Sequence, residues 1–218
     1  MLDCYTADYA AIEAFTTENE INYTVEGEYT VFHPKDATVG LIFYPGARVE
    51  HEAYLPLMEA CADKGILCVL VEMPLYFPLI DQNAADGIID KYPQITDWYI
   101  GGHSLGGLTA ASYLKSHASE FEGLILLASY SNTDLSDTDL RVLSIYGGND
   151  QIMNCERYQE GLSLLPKDYK EVVISGGCHA YFGMYNGQDG EFADGISNEG
   201  QIFQTAEAIY SFVNKSTD

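Results

Sequence analysis

Basic residues are scarce in this chain of 218 amino acids, which has 10 lysines and arginines against 33 aspartates and glutamates. The resulting net charge at pH 7 is −23. Nucleic acids and anionic membrane surfaces bind proteins that carry clustered positive charge, so both would repel this chain. We therefore expect no nucleic-acid partner, and we interpret the acidity as a contribution to solubility.

A membrane-spanning run, a secretion signal and a cysteine pattern for zinc or disulfides are also missing. No apolar run reaches the roughly 20 residues of a membrane-spanning helix, and the segment 1–14, with Asp3, Asp8 and Glu13, lacks the basic start of a secretion signal. The five cysteines are odd in number and have no zinc-site or disulfide-framework spacing. The sequence predicts a cytoplasmic protein without a metal site. An extracytoplasmic location is the alternative if an N-terminal anchor has been removed.

Apolar runs alternate with helical segments along the chain, in the manner of parallel strands buried on both faces. Strands are predicted at 39–44, 67–71, 98–101, 123–128, 142–146 and 172–174, after a hairpin of Asn22–Val25 and Tyr29–Phe32. Helices are predicted at 53–64, 84–92, 104–117, 155–165 and 199–214. The pattern predicts one α/β domain over residues 1–218, with an open, mostly parallel sheet flanked by helices. In the last helix, a helically spaced stripe predicts contact with the sheet for Ile202, Phe203, Ala206, Ile209, Tyr210 and Val213.

The most informative stretch is Gly102-His103-Ser104-Leu105-Gly106, which stands between a predicted strand and a predicted helix. In a G-x-S-x-G sequence the serine occupies a sharp strand-to-helix turn, and the two glycines give that turn room. The turn raises the hydroxyl above the sheet, where the helix N-terminus directs backbone N–H groups at the same point. We predict that Ser104 is a nucleophile.

A nucleophilic serine needs a base and an acid that orients the base, and hydrolases of this kind carry them in the order serine, acid, histidine. Asp150 and His179 each follow a predicted strand, at the sheet edge where open α/β sheets carry their sites. We expect His179 to be the base. Asp150 is the favoured acid because a tight Gly-Gly-Asn-Asp turn fixes its position. The alternatives lie in a polar segment after the preceding strand and are Asp134, Asp137 and Asp139.

An oxyanion hole requires two backbone N–H groups where negative charge develops. Leu105 follows the nucleophile and is expected to supply one of them. The other is expected from the loop after strand 39–44, where Ala47 is the favoured donor and Gly46 the alternative.

An apolar segment with two prolines, residues 73–80, follows another strand at the same edge of the sheet. Its position predicts a contribution to an acyl or alcohol pocket, and the alternative is a buried loop beneath the last helix. The pocket residues expected here are Glu72, Leu75 and Tyr76.

Five stretches resemble the α/β-hydrolase superfamily, and more narrowly its compact bacterial branch, alpha/beta hydrolase family 5. They are Leu41–Ala47, Val71–Leu75, Tyr99–Gly107, Leu143–Gly147 and His179–Gly183. The resemblance covers nearly the whole chain and implies an esterase-type triad of Ser104, His179 and Asp150 with no cofactor. Relatives commonly carry lysine at the position of Glu72 and asparagine at that of Cys178, and the first of these changes alters the charge near the site.

These features together predict a serine hydrolase that cleaves carboxylic esters of small molecules through an acyl-enzyme. Only residues 129–141 separate two consecutive predicted strands after the nucleophile, which leaves no room for a separate lid domain. The alternatives are an acyltransferase or thioesterase with the same triad, and a catalytically silent hydrolase-like binding protein. The sequence does not indicate an oligomeric state.

Overall fold

Eight strands form one sheet in the computed structural model, which describes residues 4–16, 23–186, 188 and 193–214. The strands are β1 (Tyr23–Glu26), β2 (Tyr29–Phe32), β3 (Val39–Tyr44), β4 (Ile66–Val71), β5 (Asp97–His103), β6 (Gly123–Leu127), β7 (Arg141–Gly147) and β8 (Tyr169–Ile174). Their order in the sheet is β1-β2-β4-β3-β5-β6-β7-β8. The pairings of β2 with β1 and β4 are antiparallel, and all pairings from β4 to β8 are parallel. The predicted open, mostly parallel sheet is confirmed, although Asn22 of the predicted hairpin lies outside the described residues.

Helices pack on the two faces of this sheet. They are α1 (Tyr9–Thr16), α2 (Leu55–Ala62), α3 (Ile88–Lys91), α4 (Leu105–His117), α5 (Cys155–Gly161) and α6 (Asn198–Val213). Successive residues of β3 point to opposite faces, so Leu41 and Phe43 join one hydrophobic cluster while Ile42 and Tyr44 join the other. The first cluster includes buried residues of α1, α2 and α6, and the second includes those of α3 and α4. Both faces of the central strands are therefore covered.

Local capping sets the start of two of these helices. The Asn154 side chain accepts a hydrogen bond from the Arg157 N–H at 2.9 Å, and the Ser197 hydroxyl accepts one from the Gly200 N–H at 3.0 Å. Each of these bonds satisfies an N–H group that has no partner within its own helix. The helix predicted at 84–92 is shorter in the structure, where Gly87 adopts a positive φ of 72° directly before α3.

The predicted core stripe of α6 is correct for four residues and wrong for two. Ile202, Ala206, Ile209 and Val213 are buried, whereas Phe203 is 49% exposed and Tyr210 is 38% exposed. These two residues are seven positions apart and share a helix face that flanks the sheet contact. There the Phe203 ring stacks on Phe15 with centroids 5.2 Å apart, and the Lys64 ammonium lies 5.5 Å from the Tyr210 ring.

A buried carboxyl group on α2 makes the stability of the protein depend on pH. Glu59 is only 3% exposed, and burial, with a smaller contribution from Asp63, raises its pKa to about 7. Since the unfolded chain ionises this group near pH 4.5, the folded state loses stability as the pH rises from about 4.5 to about 7. Above that range the loss stays constant.

We therefore expect Glu59→Gln to raise the free energy of unfolding relative to wild type more at pH 8 than at pH 4.5. The two effects should differ by about 1–2 kcal/mol, allowing for partial solvent screening of the carboxyl. Urea unfolding of both proteins at the two pH values measures this difference. Glu160→Gln is the control, because Glu160 is exposed on α5. An equal effect of Glu59→Gln at both pH values would show that folding does not raise the pKa of Glu59.

Candidate active site

The strand-to-helix turn between β5 and α4 is centred on Ser104. This residue has φ 52° and ψ −121°, a backbone conformation that non-glycine residues rarely adopt. Its N–H donates to the Leu127 carbonyl at 2.8 Å, and its carbonyl accepts from the Ser129 hydroxyl at 2.6 Å. The strained turn is therefore held by bonds to the end of β6 and to the residues that follow it.

Glycines on either side of Ser104 allow the helix to approach the sheet. A Cβ atom on Gly102 would lie 2.5 Å from the Tyr44 carbonyl oxygen. A Cβ atom on Gly106 would collide with the carbonyl oxygens of Tyr44 and Pro45. Only glycine fits at these positions, which is the physical reason for the spacing of the G-x-S-x-G sequence.

The structure brings Asp150 and His179 together at the C-terminal edge of the sheet, after β7 and β8. Nδ1 of His179 lies 2.9 Å from Oδ2 of Asp150, and the two side chains are 3% and 2% exposed. The other carboxylate oxygen of Asp150 accepts the N–H groups of Ile152 at 2.9 Å and Met153 at 2.8 Å. Burial alone would raise the pKa of Asp150, but these hydrogen bonds and the proximity of His179 outweigh it and lower the pKa. The group is thus held as a carboxylate.

Ser104 and His179 both line one cavity of about 170 Å³. Apolar side chains make much of its wall, and they belong to Leu105, Leu108, Ile152 and Met153. Among the residues that line it, none is an aspartate, glutamate, lysine or arginine. The cavity therefore combines a serine, an imidazole and a largely uncharged apolar surface.

The three alternative aspartates lie elsewhere. Asp134 is exposed and accepts hydrogen bonds from the Ser136 N–H at 3.1 Å and the Ser136 hydroxyl at 2.6 Å. Asp137 and Asp139 line a different cavity beside Lys167 and Asp168. Of these three and Asp150, only Asp150 has a hydrogen bond to His179 within the described part of the chain.

Three successive N–H groups after β3 differ in what they bind. The Gly46 N–H donates to the Tyr54 hydroxyl at 3.1 Å, and the Arg48 N–H donates to the Tyr76 carbonyl at 2.6 Å. Between them, the Ala47 N–H has no acceptor among the residues that the structure describes. The same holds for the Leu105 N–H at the start of α4. Both residues that the sequence predicts as oxyanion donors thus have an uncommitted N–H, whereas the alternative donor Gly46 does not.

Glu72, Leu75 and Tyr76, the residues expected in the substrate pocket, are not among those that line the cavity at Ser104. Glu72 is exposed, and Leu75 is 62% exposed. Leu75 and Tyr76 both have positive φ values, 54° and 57°, and the Arg48 N–H bonds to the second of them. The segment therefore contacts the loop that carries Ala47 through this bond.

Sequence reasoning missed a residue that holds the loop of His179. The buried side chain of Gln201, on α6, accepts the Cys178 N–H at 3.0 Å and donates to the Cys178 carbonyl at 2.8 Å. This pair of bonds fixes the backbone next to His179. The available signal was a glutamine directly beside the buried apolar stripe of α6, a position where a polar side chain needs a partner.

Membrane-spanning helices and metal-ligand clusters are both absent from the described residues. Within the described residues, no helix is long and apolar enough to cross a membrane. In the same part of the chain, no three histidine, cysteine, aspartate or glutamate side chains cluster as metal ligands would.

Comparison with known proteins agrees with this architecture. TT1662 from Thermus thermophilus has a TM-score of 0.64 at 12% identity, covering 91% of this chain and 100% of that one. A hydrolase from Thermoplasma acidophilum, described as predicted and CIB-like, has a TM-score of 0.61 at 13% identity, covering 88% and 98%. Est1E from Butyrivibrio proteoclasticus has a TM-score of 0.61 at 16% identity, covering 90% and 100%. At such identities the likeness shows the fold alone.

Sequence comparison provides the family. No curated protein sequence matches the chain. A sequence model described as the alpha/beta hydrolase family matches residues 40–203, a range that runs from β3 into α6 and includes Ser104, Asp150 and His179. The chain therefore belongs to the alpha/beta hydrolase family.

Proposed function

We propose that the protein is a serine hydrolase that cleaves carboxylic esters of small molecules through an acyl-enzyme on Ser104. The observation that carries the proposal is the buried Asp150–His179 pair, whose imidazole shares one cavity with the serine of a strained strand-to-helix turn. Membership in the alpha/beta hydrolase family supports hydrolysis in general. The ester substrate and the triad are our inference.

The hydrogen bonds of the pair define the proton positions. A carboxylate can only accept, so Nδ1 of His179 carries the proton that Asp150 binds, and Nε2 is the nitrogen left to act as the base. In the proposed reaction, Nε2 takes the Ser104 proton while the hydroxyl oxygen attacks the ester carbonyl. His179 then donates that proton to the leaving alcohol and activates a water molecule that releases the acyl group. Asp150 stabilises the imidazolium in both steps.

The negative charge of the tetrahedral intermediate needs two donors. The N–H groups of Ala47 and Leu105 serve this role in our proposal, because both are uncommitted within the described part of the chain. Leu105 also lines the cavity, and its N–H lies in the first turn of α4, where the helix dipole favours an anion.

The cavity indicates small acyl groups. Its volume of about 170 Å³ is below the roughly 300–1,000 Å³ of sites for drug-sized ligands. The stretch 128–140 between β6 and β7 contains no helix or strand, so no lid domain is inserted there. We therefore infer an open site that accepts short, neutral acyl chains.

A panel of p-nitrophenyl esters tests the proposed function. We expect kcat/KM to be higher for acetate and butyrate than for octanoate. A thioester and a lactone in the same panel, with product analysis in the presence of an added alcohol, separate ester hydrolysis from thioester hydrolysis and acyl transfer. A protein that turns over none of these compounds, or that forms only transfer products, would contradict the proposal.

Glu72 is expected to affect substrate choice only weakly, because its side chain is exposed and does not line the cavity. The measured quantity is kcat/KM for a hemisuccinate ester divided by kcat/KM for a matched neutral ester. Glu72→Lys should raise this ratio, but by less than about fivefold. The change should decrease with added salt. Glu72→Gln separates loss of negative charge from gain of positive charge. A salt-independent change above about tenfold would instead place this carboxylate in buried contact with the acyl group.

A further inference from the structure

A hydrogen-bonded chain lies behind the candidate site and links groups that the proposed reaction does not use. Tyr54 belongs to the 3-10 turn His51–Tyr54 directly before α2. Its hydroxyl accepts the Gly46 N–H at 3.1 Å and bonds to Nδ1 of His103 at 2.8 Å. Tyr54 is 0% exposed and His103 is 1% exposed. The chain therefore joins the loop after β3 to the last residue of β5 without contact with solvent.

The protonation states of Tyr54 and His103 determine which of them donates in their hydrogen bond. Burial raises the pKa of Tyr54, so the phenol keeps its proton. Burial and, to a smaller extent, the nearby His179 lower the pKa of His103 well below its usual range, so this imidazole is neutral. The phenol thus donates to Nδ1 of His103, whose own proton is on Nε2. That Nε2 is buried and lacks a hydrogen-bond partner in the described part of the chain.

His103 also contacts the proposed base. Its ring centroid lies 4.6 Å from that of His179 and 5.6 Å from that of Phe182. An imidazolium at His103 would repel the imidazolium that His179 becomes during the reaction. A neutral His103 ring can pack against His179 without that repulsion.

The loop after β3 packs directly onto this pair of side chains. A Cβ atom on Gly46 would lie 2.8 Å from Nδ1 of His103 and 2.9 Å from the Tyr54 hydroxyl. The Tyr54 hydroxyl binds the Gly46 N–H, and the next N–H, that of Ala47, has no acceptor among the described residues. If that hydroxyl were absent, the Gly46 N–H would have no partner and the loop would no longer be fixed on this side.

We propose that Tyr54 and His103 are positioning residues that hold the Ala47 N–H in the oxyanion hole and support the ring of His179. This inference rests on the proposed function and concerns the same site. Neither residue touches the substrate. Their effect should fall on the transition state, where the oxyanion exists, and not on substrate binding.

The test compares Tyr54→Phe with Tyr99→Phe. Tyr99 is the matched control, because it lies on the same strand as His103 and is only 2% exposed. Its hydroxyl accepts a hydrogen bond from Arg141 at 3.0 Å. With p-nitrophenyl acetate, Tyr54→Phe should lower kcat by about 10- to 100-fold and change KM by less than about threefold. The affinity for a boronic acid that mimics the tetrahedral intermediate should fall in parallel with kcat. Tyr99→Phe should leave all three quantities close to those of wild type.

A second pair of variants tests His103, and decides the matter if Tyr54→Phe does not fold. His103→Asn places a carbonyl oxygen near the position of Nδ1 and can still accept from Tyr54, whereas His103→Leu cannot. We expect the asparagine variant to keep more of the wild-type kcat than the leucine variant.

Three results would overturn the proposal. They are a wild-type kcat in Tyr54→Phe, a loss confined to KM with unchanged boronic acid affinity, and equal losses in the two His103 variants. If Ser104 were not the activated nucleophile that the proposed function requires, the result would differ, since a fluorophosphonate would then not label Ser104 in wild type. That outcome would also remove the basis of the present inference.

Discussion

Replacing Ser104 with alanine is expected to abolish ester hydrolysis. In a well-studied serine protease, loss of the nucleophile lowers kcat by about 10⁶-fold, and the remaining acceleration comes from the oxyanion hole and binding. The same substitution should remove all labelling by a fluorophosphonate, which reacts with an activated serine hydroxyl. Both measurements follow from one structural fact, that Ser104 shares its cavity with the imidazole of His179.

Ser112→Ala is the matched control for this experiment. Ser112 lies on the same helix, α4, and its hydroxyl donates to the Leu108 carbonyl at 3.1 Å. It should retain wild-type hydrolysis and labelling, because its hydroxyl is committed within the helix. Labelling of Ser104→Ala at the wild-type level would show that another residue is the nucleophile.

Central strands were easier to predict from the sequence than edge strands, for a physical reason. The strand predicted at 39–44 is found at Val39–Tyr44, where every residue is buried and the apolar run is continuous. The strand predicted at 172–174 is found at Tyr169–Ile174. As an edge strand, β8 exposes part of its surface and includes Lys170 and Glu171, so its apolar run is shorter than the strand.

The residues of the candidate site also differ in how far the sequence predicts them. Ser104, Asp150 and His179 could be named because each follows a strand, and the carboxyl ends of parallel strands meet at one edge of the sheet. The partners of Gln201 and Tyr54 could not be named, because they lie 23 and 49 residues away and no local pattern identifies the far end of such a contact. Ile152 and Met153, which form part of the cavity wall, also lie in a loop. Their position depends on the turn in which the Asp150 carboxylate accepts their backbone N–H groups.

The acid has the second large expected effect, and the geometry of Asp150 explains why asparagine cannot replace it. One carboxylate oxygen accepts two backbone N–H groups, and the other accepts Nδ1–H of His179. Asparagine has one acceptor oxygen, and keeping both backbone bonds turns its NH₂ group toward Nδ1. His179 would then hold its proton on Nε2, the atom that must accept the proton of Ser104.

We therefore expect Asp150→Asn to lower kcat by about 10⁴-fold, the magnitude of this tautomer effect in the best-studied serine hydrolase triad. Fluorophosphonate labelling should slow by a comparable factor, while the urea midpoint should change little because both backbone bonds persist. Asp134→Asn, Asp137→Asn and Asp139→Asn are the controls and should each stay within about twofold of wild type, since none of the three has a hydrogen bond to His179 within the described residues. If one of these lowered kcat more than Asp150→Asn, the acid would belong to the segment after β6. The Asp150–His179 hydrogen bond would then orient the loop and not the base.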